Sequence, residues 1–335
     1  MLKIGIMGLG KIAVKMVQTA QGMEEVCIHA VGSRSLERAG RFAGEYGIGR
    51  AYGSYEELAA DSEVDLIYVA TPHSRHYEDM KLCIGHRKHV LCEKAFTLNA
   101  PQAREVLSMA RQAGVLCAEG IWTRYLPSRK MISDIISSGA IGTPISITAN
   151  LGYELTGVER LMNPALGGGA LLDVGVYAIN FALMVFGEDY ESITSGAVFN
   201  DQGADVSEGI TITWRDGRLA VLHATVLANT DRQGTVFGDK GFLVIDNINN
   251  CARIDLYNMN RELVESSGYE GMHAIYWDSS WKVTEPNLNT PYLGIIYQGT
   301  VDGMRRTDVL VLRYGRGDDK GELLYRLQTE SYEAR

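Results

Sequence analysis

Five cysteines are spread over 335 residues, Cys27, Cys83, Cys92, Cys117 and Cys251, and no two form a C-x-x-C pair. So few, so spaced, they suggest neither a disulfide frame nor a zinc knuckle, and they read as buried thiols of a reducing compartment. Positive charge is also short: 32 Lys and Arg against 41 Asp and Glu give a net charge of -9, which disfavours a nucleic-acid backbone as the main partner. Long apolar runs are lacking. The longest, Leu171 to Phe186, is broken by Asp173 and Asn180 and is too short to span a bilayer. The opening MLKIGIMGLG runs into a glycine turn instead of a small-residue cleavage site. The cytoplasm is the expected location, with no membrane partner. No internal repeat or low-complexity tract is present.

What is there is an ordinary globular composition, 46% hydrophobic and 22% charged, in a chain long enough for two domains. From the N-terminus short β-branched runs alternate with helical patterns: KIGIM, VCIHAVG, DLIYVAT, HVLCE and VLCAEG, each followed by or following a helix. Strict succession of this kind implies right-handed crossovers and a doubly wound parallel α/β sheet over residues 1–120. Ser54 with Glu57, and Asn99 ahead of Pro101, mark helix starts. From 121 to 335 the rhythm changes. A helix near Ser128 to Ser138 and the apolar stretch GGGALLDVGVYAINFALMVFG are followed by SITSGAVF, GITITW, LAVLHATVLA, GTVFG, GFLVID and ARIDLY at hairpin spacing. A second, α+β domain with a large, mostly antiparallel open sheet is expected, and its uncovered face suggests a homodimer. Residues 290–306 read as a last helix. The 307–335 tail is atypical: two β-like runs around GRGDDKG, either an added hairpin or an ill-ordered extension.

Directly after the first strand stands Gly8-Leu9-Gly10-Lys11-Ile12-Ala13, the G-x-G-x-x-A form of the Rossmann dinucleotide fingerprint. Gly8 permits a tight turn, Gly10 lets the backbone approach a pyrophosphate, and Ala13 allows close helix packing. At the end of the second strand, where a carboxylate would hold the ribose 2′-hydroxyl of NAD, the chain reads Gly32-Ser33-Arg34-Ser35, with Arg38 a turn later. No acid occupies the place. Arg34 can stack on adenine or clasp a phosphate, and Ser33 can donate a hydrogen bond. NADP is therefore expected ahead of NAD.

Thr71-Pro72-His73 and Glu93-Lys94 fall at the ends of the DLIYVAT and HVLCE strands, on the carboxyl edge where doubly wound sheets bind ligands. With GLGKIA, VATPHSRHYE, CEKAF and GGGALLDVGVY in this order, the chain resembles the Gfo/Idh/MocA family of NAD(P)-dependent oxidoreductases, up to about Asp246. AEGIWTRYLP with D-V-G-V-Y is most similar to the dihydrodiol dehydrogenase/sugar dehydrogenase branch, where tyrosine replaces a histidine. The resemblance implies that Lys94, Asp173 and Tyr177 are the catalytic residues. It implies a cofactor held by Gly8, Gly10, Lys11, Ile12, Ser33, Arg34, Arg38, Thr71, Pro72, His76, Glu93 and Lys94, with Trp122 beside the pocket. Ala95 departs from the family's proline, which loosens the turn after Lys94 but leaves the amine available. Arg124, just past Trp122, can meet a polyhydroxylated substrate or pair with a carboxylate.

Asp173 and Tyr177 are four residues apart, so one helix would present both on one face. Oxidising a carbinol needs a base for the hydroxyl proton. A phenol has a pKa near 10, and a nearby ammonium such as that of Lys94 would favour the phenolate. Asp173 would hold that ammonium or bind a second hydroxyl. The plainer alternative is a core tyrosine and a helix-start acid. The expectation is thus an NADP-preferring oxidoreductase acting on a secondary alcohol or carbonyl of a small cyclic polyol: an aldose, an inositol-like sugar or a trans-dihydrodiol. Its rivals are a nucleotide-sensing or scaffold protein of the same fold, and a reductase for another carbonyl or an imine.

Overall fold

The computed structural model describes residues 1–23 and 25–268 in full, and the backbone alone for 292–301, 304–313 and 326–330. Two compact units result, one built mainly on Met1–Ile121 and the other mainly on Trp122–Ile275.

The first unit runs β1 (Leu2–Met7), α1 (Lys11–Ala20), β2 (Val26–Gly32), α2 (Leu36–Tyr46), β3 (Arg50–Tyr52), α3 (Tyr55–Ala60), β4 (Leu66–Val69), α4 (His73–Gly85), β5 (His89–Cys92), α5 (Ala100–Ala113) and β6 (Cys117–Glu119). The six strands form one sheet in the order β3-β2-β1-β4-β5-β6, every pair parallel. The order reverses between β1 and β4, so the cleft outside their carboxyl ends is where a ligand is bound in such sheets. Helix starts follow the local chemistry that the sequence offers. Ser35, Ser54 and Asn99 each accept the backbone N–H three residues on, and Glu57 reaches back to the Gly53 N–H. The strand interiors are wholly apolar: Ile6, Met7, Ile67, Val69, Val90 and Cys92 are closed to solvent. All five cysteines are unbridged, and burial pushes the Cys117 thiol up to about 12.

The second unit begins with a 3-10 turn (Trp122–Tyr125) and α6 (Pro127–Ser137), then β7 (Pro144–Gly152), the short α7 (Glu159–Met162), a π-helical turn (Leu171–Gly175) and α8 (Val176–Phe186). Seven strands follow: β8 (Tyr190–Phe199), β9 (Asp205–Trp214), β10 (Leu219–Thr225), β11 (Gly234–Gly238), β12 (Gly241–Ile245), β13 (Arg253–Asn258) and β14 (Leu263–Gly268). Together with β7 they make an eight-stranded sheet, β14-β13-β12-β11-β7-β10-β9-β8, antiparallel except between β7 and β10. Period-two burial is plain: Ile147, Ala149 and Leu151 on β7, and Ala220, Leu222 and Ala224 on β10, face inward. α8 packs there, burying Tyr177, Ala178, Phe181, Ala182 and Phe186. Read with its preceding turns as one stretch, Pro164–Phe186 has the length and hydropathy of a bilayer span, but more than half of it is buried within the unit, as in a core helix.

Two expectations need correction. The last helix expected at 290–306 is instead β15 (Tyr292–Val301) leading to β16 (Met304–Arg313), which with β17 (Arg326–Glu330) form a three-stranded sheet. The residues involved, Tyr-Leu-Gly-Ile-Ile-Tyr ahead of Asp302-Gly303, carry β-branched and aromatic propensity and a hairpin signal that outweigh the apparent helical pattern. The sequence reads His86 and His89 as surface residues around a turn; His89 instead accepts the Leu116 N–H at Nδ1 and is partly buried between β5 and β6, where burial lowers its pKa.

Candidate active site

The residues of the first unit expected to hold the cofactor gather at the carboxyl edge. Gly8 has φ +91°, and a Cβ there would lie 2.9 Å from the Ala70 backbone, so both conformation and space require glycine. Gly10 is the N-cap of α1, with open space where a side chain would stand. No side chain caps this helix and no acid stands in its first turn, where Lys11 is exposed and Ile12 half-buried. A backbone cradle at an uncapped helix start fits a pyrophosphate.

Arg38 donates from Nη2 to the Leu9 carbonyl at 2.7 Å, so it braces the glycine turn, a role the sequence did not announce. Ser33 is buried and accepts weakly from the Ser35 N–H, while Arg34 is exposed. The positive charges of Arg34, Arg75 and Arg38 all reach the Tyr55 phenol, although burial dominates and raises its pKa. Arg75 joins this cluster unforeseen, tied to Asp79 at 2.8 Å. At the end of β2, where NAD-binding chains carry an acid, the chain thus has Ser33 and the exposed Arg34.

At the ends of β4 and β5 the parts are locked together. Thr71 donates from Oγ1 to Asp79 at 2.7 Å, and the exposed Pro72 is the N-cap of α4. His76 is wholly enclosed, with Nδ1 2.8 Å from the Ala95 carbonyl oxygen and Nε2 2.8 Å from that of Thr71. Its place in the site is therefore a strut between the two strand ends, not a surface offered to a ligand. His73 Nε2 lies 3.1 Å from the Lys94 carbonyl oxygen, and the Lys94–Ala95 peptide is cis. Lys94 is thus gripped from behind through its own carbonyl and its neighbour's. Glu93 keeps its carboxyl inside, where burial raises its pKa and the Tyr68 hydroxyl donates to it.

In the second unit Tyr177 opens α8 and is 6% exposed. Trp122 donates from its indole N–H to the Tyr177 hydroxyl at 3.0 Å, with the rings edge to face. Asp173 is buried and accepts from both Nη1 and Nη2 of Arg160, at 3.2 and 3.1 Å. That arginine was missed; it lies 13 residues upstream, and only the fold brings it to the acid. Arg124 pairs with Glu188 at 3.7 Å, one of its two expected fates. The turn carrying Asp173 is π-helical and passes directly into α8 just before Tyr177, so the helix expected here is continuous but more loosely wound at its start. Turns of this kind often occur at functional sites. The sequence reads Trp214, Trp277 and Trp281 as packing residues; Trp214 is buried against Phe186, and Trp277 and Trp281 lie outside the described residues.

Comparison with known proteins follows the same division. The oxidoreductase family model with NAD-binding Rossmann fold matches residues 2–121, and the GFO/IDH/MocA C-terminal domain matches 130–244. Trans-1,2-dihydrobenzene-1,2-diol dehydrogenase of Danio rerio is 38% identical over 247 residues, 73% of this chain and 74% of its own. The Homo sapiens protein of that name is 32% identical over 249 residues, 73% and 75% of the two chains. Among solved structures, KijD10, a 3-ketoreductase from Actinomadura kijaniata in complex with NADP and TDP-benzene, has a TM-score of 0.73 at 26% identity, covering 79% of this chain and 83% of its own. GenD2 from gentamicin A biosynthesis, in complex with NAD, shares the fold at a TM-score of 0.68 and 22% identity, covering 73% and 72%.

Proposed function

Since the chain belongs to the GFO/IDH/MocA family of nicotinamide-dependent oxidoreductases, in the dihydrodiol dehydrogenase branch, we propose that it is an NADP-preferring dehydrogenase of a small cyclic polyol, with Tyr177 as its acid/base and Lys94 assisting. The observation that carries this reading is the Tyr177 hydroxyl. A phenol with an indole N–H directed at its oxygen is prepared to carry negative charge there, because a donor favours the charged form.

The nicotinamide, when bound, supplies the redox chemistry by accepting the hydrogen and electron pair that leave carbon. The residues of the chain do the rest. The Tyr177 oxygen takes the proton of the substrate hydroxyl as its C–O bond becomes a carbonyl, and returns it in reduction. The Lys94 ammonium stabilises the negative oxygen. Arg160 fixes the Asp173 carboxylate, which can then accept a second hydroxyl of a polyol. The Gly8 to Gly10 turn and the start of α1 hold the pyrophosphate, while Arg34 and Arg75 supply charge for a 2′-phosphate. Relatives named for trans-1,2-dihydrobenzene-1,2-diol support a cyclic substrate with vicinal oxygens, and a solved structure named as a 3-ketoreductase supports interconversion with a ketone. A homodimer, covering the outer face of the large sheet, and a cytoplasmic location complete the proposal.

The test is a panel of aldoses, inositols and trans-dihydrodiols with NADP and with NAD, followed by nicotinamide absorbance. Tyr177→Phe and Lys94→Ala should each lose about 10²- to 10⁴-fold in kcat, the usual worth of a positioned acid/base. Wild-type turnover in either variant on an identified substrate would refute its role.

A further inference from the structure

Glu208 stands on the inner face of β9 in a row that is otherwise apolar, with Val206 before it and Ile210, Ile212 and Trp214 after. It is 6% exposed, and its Oε1 is buried with no hydrogen-bond partner. An ionised carboxylate in such a place loses its hydration without compensation, so a group there tends to neutralise instead.

Its surroundings offer little relief. The cross-strand neighbours are Ala197 on β8 and Ala224 on β10, neither of them polar. Above it lies the π-helical turn, where a Cβ on Gly175 would come within 2.6 Å of Oε1 and 3.4 Å of the Ala170 carbonyl oxygen. The carboxyl therefore fills the space that Gly175 leaves open. The ionisable group that acts on it is Asp205, on its own strand; Asp173 and Tyr177 belong to the turn and helix that Gly175 joins. Asp205 accepts the Leu171 N–H at 2.6 Å and so anchors the beginning of that turn. Asp173 is committed to Arg160, and Tyr177 accepts from Trp122. Burial first, and the Asp205 carboxylate second, push the Glu208 pKa up to about 7.

Resting on the reading of Tyr177 as the acid/base, we propose that Glu208 is a positioning residue for the reaction. As a neutral acid it supports the turn that carries Asp173 and leads into Tyr177, and its ionisation displaces that turn. The cause is spatial. A second negative charge three residues from Asp205 must draw in water, and with alanines on both flanking strands the yielding wall is the turn at Gly175. Raising the pH then removes Asp173 and Tyr177 from their working positions even though the phenol itself works better as it loses its proton.

The experiment compares wild type with Glu208→Gln, which keeps the shape and hydrogen-bonding of the neutral acid. Wild-type kcat should fall by up to about tenfold per pH unit above neutrality, as for one proton, and the Gln variant should lack this limb. A second readout needs no turnover: the tryptophan emission that Trp122→Phe removes should titrate near neutrality in the wild type and be flat in Glu208→Gln. Glu208→Leu, equally uncharged, should also be flat, which keeps the test open if the Gln variant folds poorly. The same alkaline limb and the same emission titration in wild type and both uncharged variants would overturn the proposal. Failure of the catalytic reading shows separately, as wild-type turnover in Tyr177→Phe, while the emission titration still decides whether Glu208 moves the turn.

Discussion

At the scale of single residues, the candidate site is held together by side chains that fix one another. Trp122 touches the Tyr177 oxygen, and its replacement by Phe removes one hydrogen bond to a developing charge while keeping the edge-to-face packing. A charge-assisted bond of about 1.5–3 kcal/mol translates into a loss of roughly 10- to 100-fold in kcat, measured under saturating substrate. Arg34→Ala should raise the KM for NADP by a similar factor and leave that for NAD nearly unchanged; equal effects on both would argue against a phosphate contact. Far from the site, Asp61 gives a clean pH signature. Burial opposes its charge, but the Glu63 N–H, the Tyr52 hydroxyl and the Arg50 guanidinium overcome that and hold its pKa below the ordinary value. A depressed carboxylate stabilises the fold above its unfolded pKa of about 3.9 and loses that contribution as pH falls through the lower folded value. Thermal melts of wild type should therefore drop below about pH 4 more steeply than those of Asp61→Asn.

At the scale of elements, α8 carries the proposed acid/base. Its apolar residues were legible as a buried helix, and Gly187 ends it with φ +81°, as the sequence suggested. The π-helical turn that leads into α8 was not legible, since it packs against Asp205 and Glu208 of β9, thirty or more residues later. Phe181 fills the space between α8 and the sheet, so Phe181→Ala should cost about 3–5 kcal/mol by chemical denaturation. On the first unit the glycine turn was readable down to the residue, since one side of it is backbone geometry alone. The bracing of that turn by Arg38, and the His73 and His76 grip on the Lys94–Ala95 carbonyls, were not, since both depend on which strands lie side by side.

At the scale of the molecule, the large sheet has two unlike faces. The inner one carries α8. The outer one presents Phe237, Phe242 and Tyr257 as an aromatic ladder across β11, β12 and β13, only partly buried, with Val221 exposed on β10. Such a surface is suited to a second copy of the chain. Sedimentation velocity should report a dimer for wild type and a monomer for Val221→Glu combined with Phe242→Glu; unchanged sedimentation of the double variant would exclude this face.

By itself the sequence determined the parallel unit, the dinucleotide turn, most of the strands of the second sheet and the types of residue available for proton transfer. Each of these is a local pattern, set by backbone propensity, by hydrophobic period or by glycine where no other residue fits. The short β3 escaped because three residues show no period, and the strands at 292–313 were misread because β-branched runs and helical spacing overlap in short apolar stretches. Only the tertiary structure decided which partners those residues keep: Arg160 on Asp173, Trp122 on Tyr177, and an unaccompanied Glu208 beneath Gly175. The reason is that hydrogen bonds and burial act through a few ångströms of space, and residues far apart in the chain become neighbours only when strands and helices have packed.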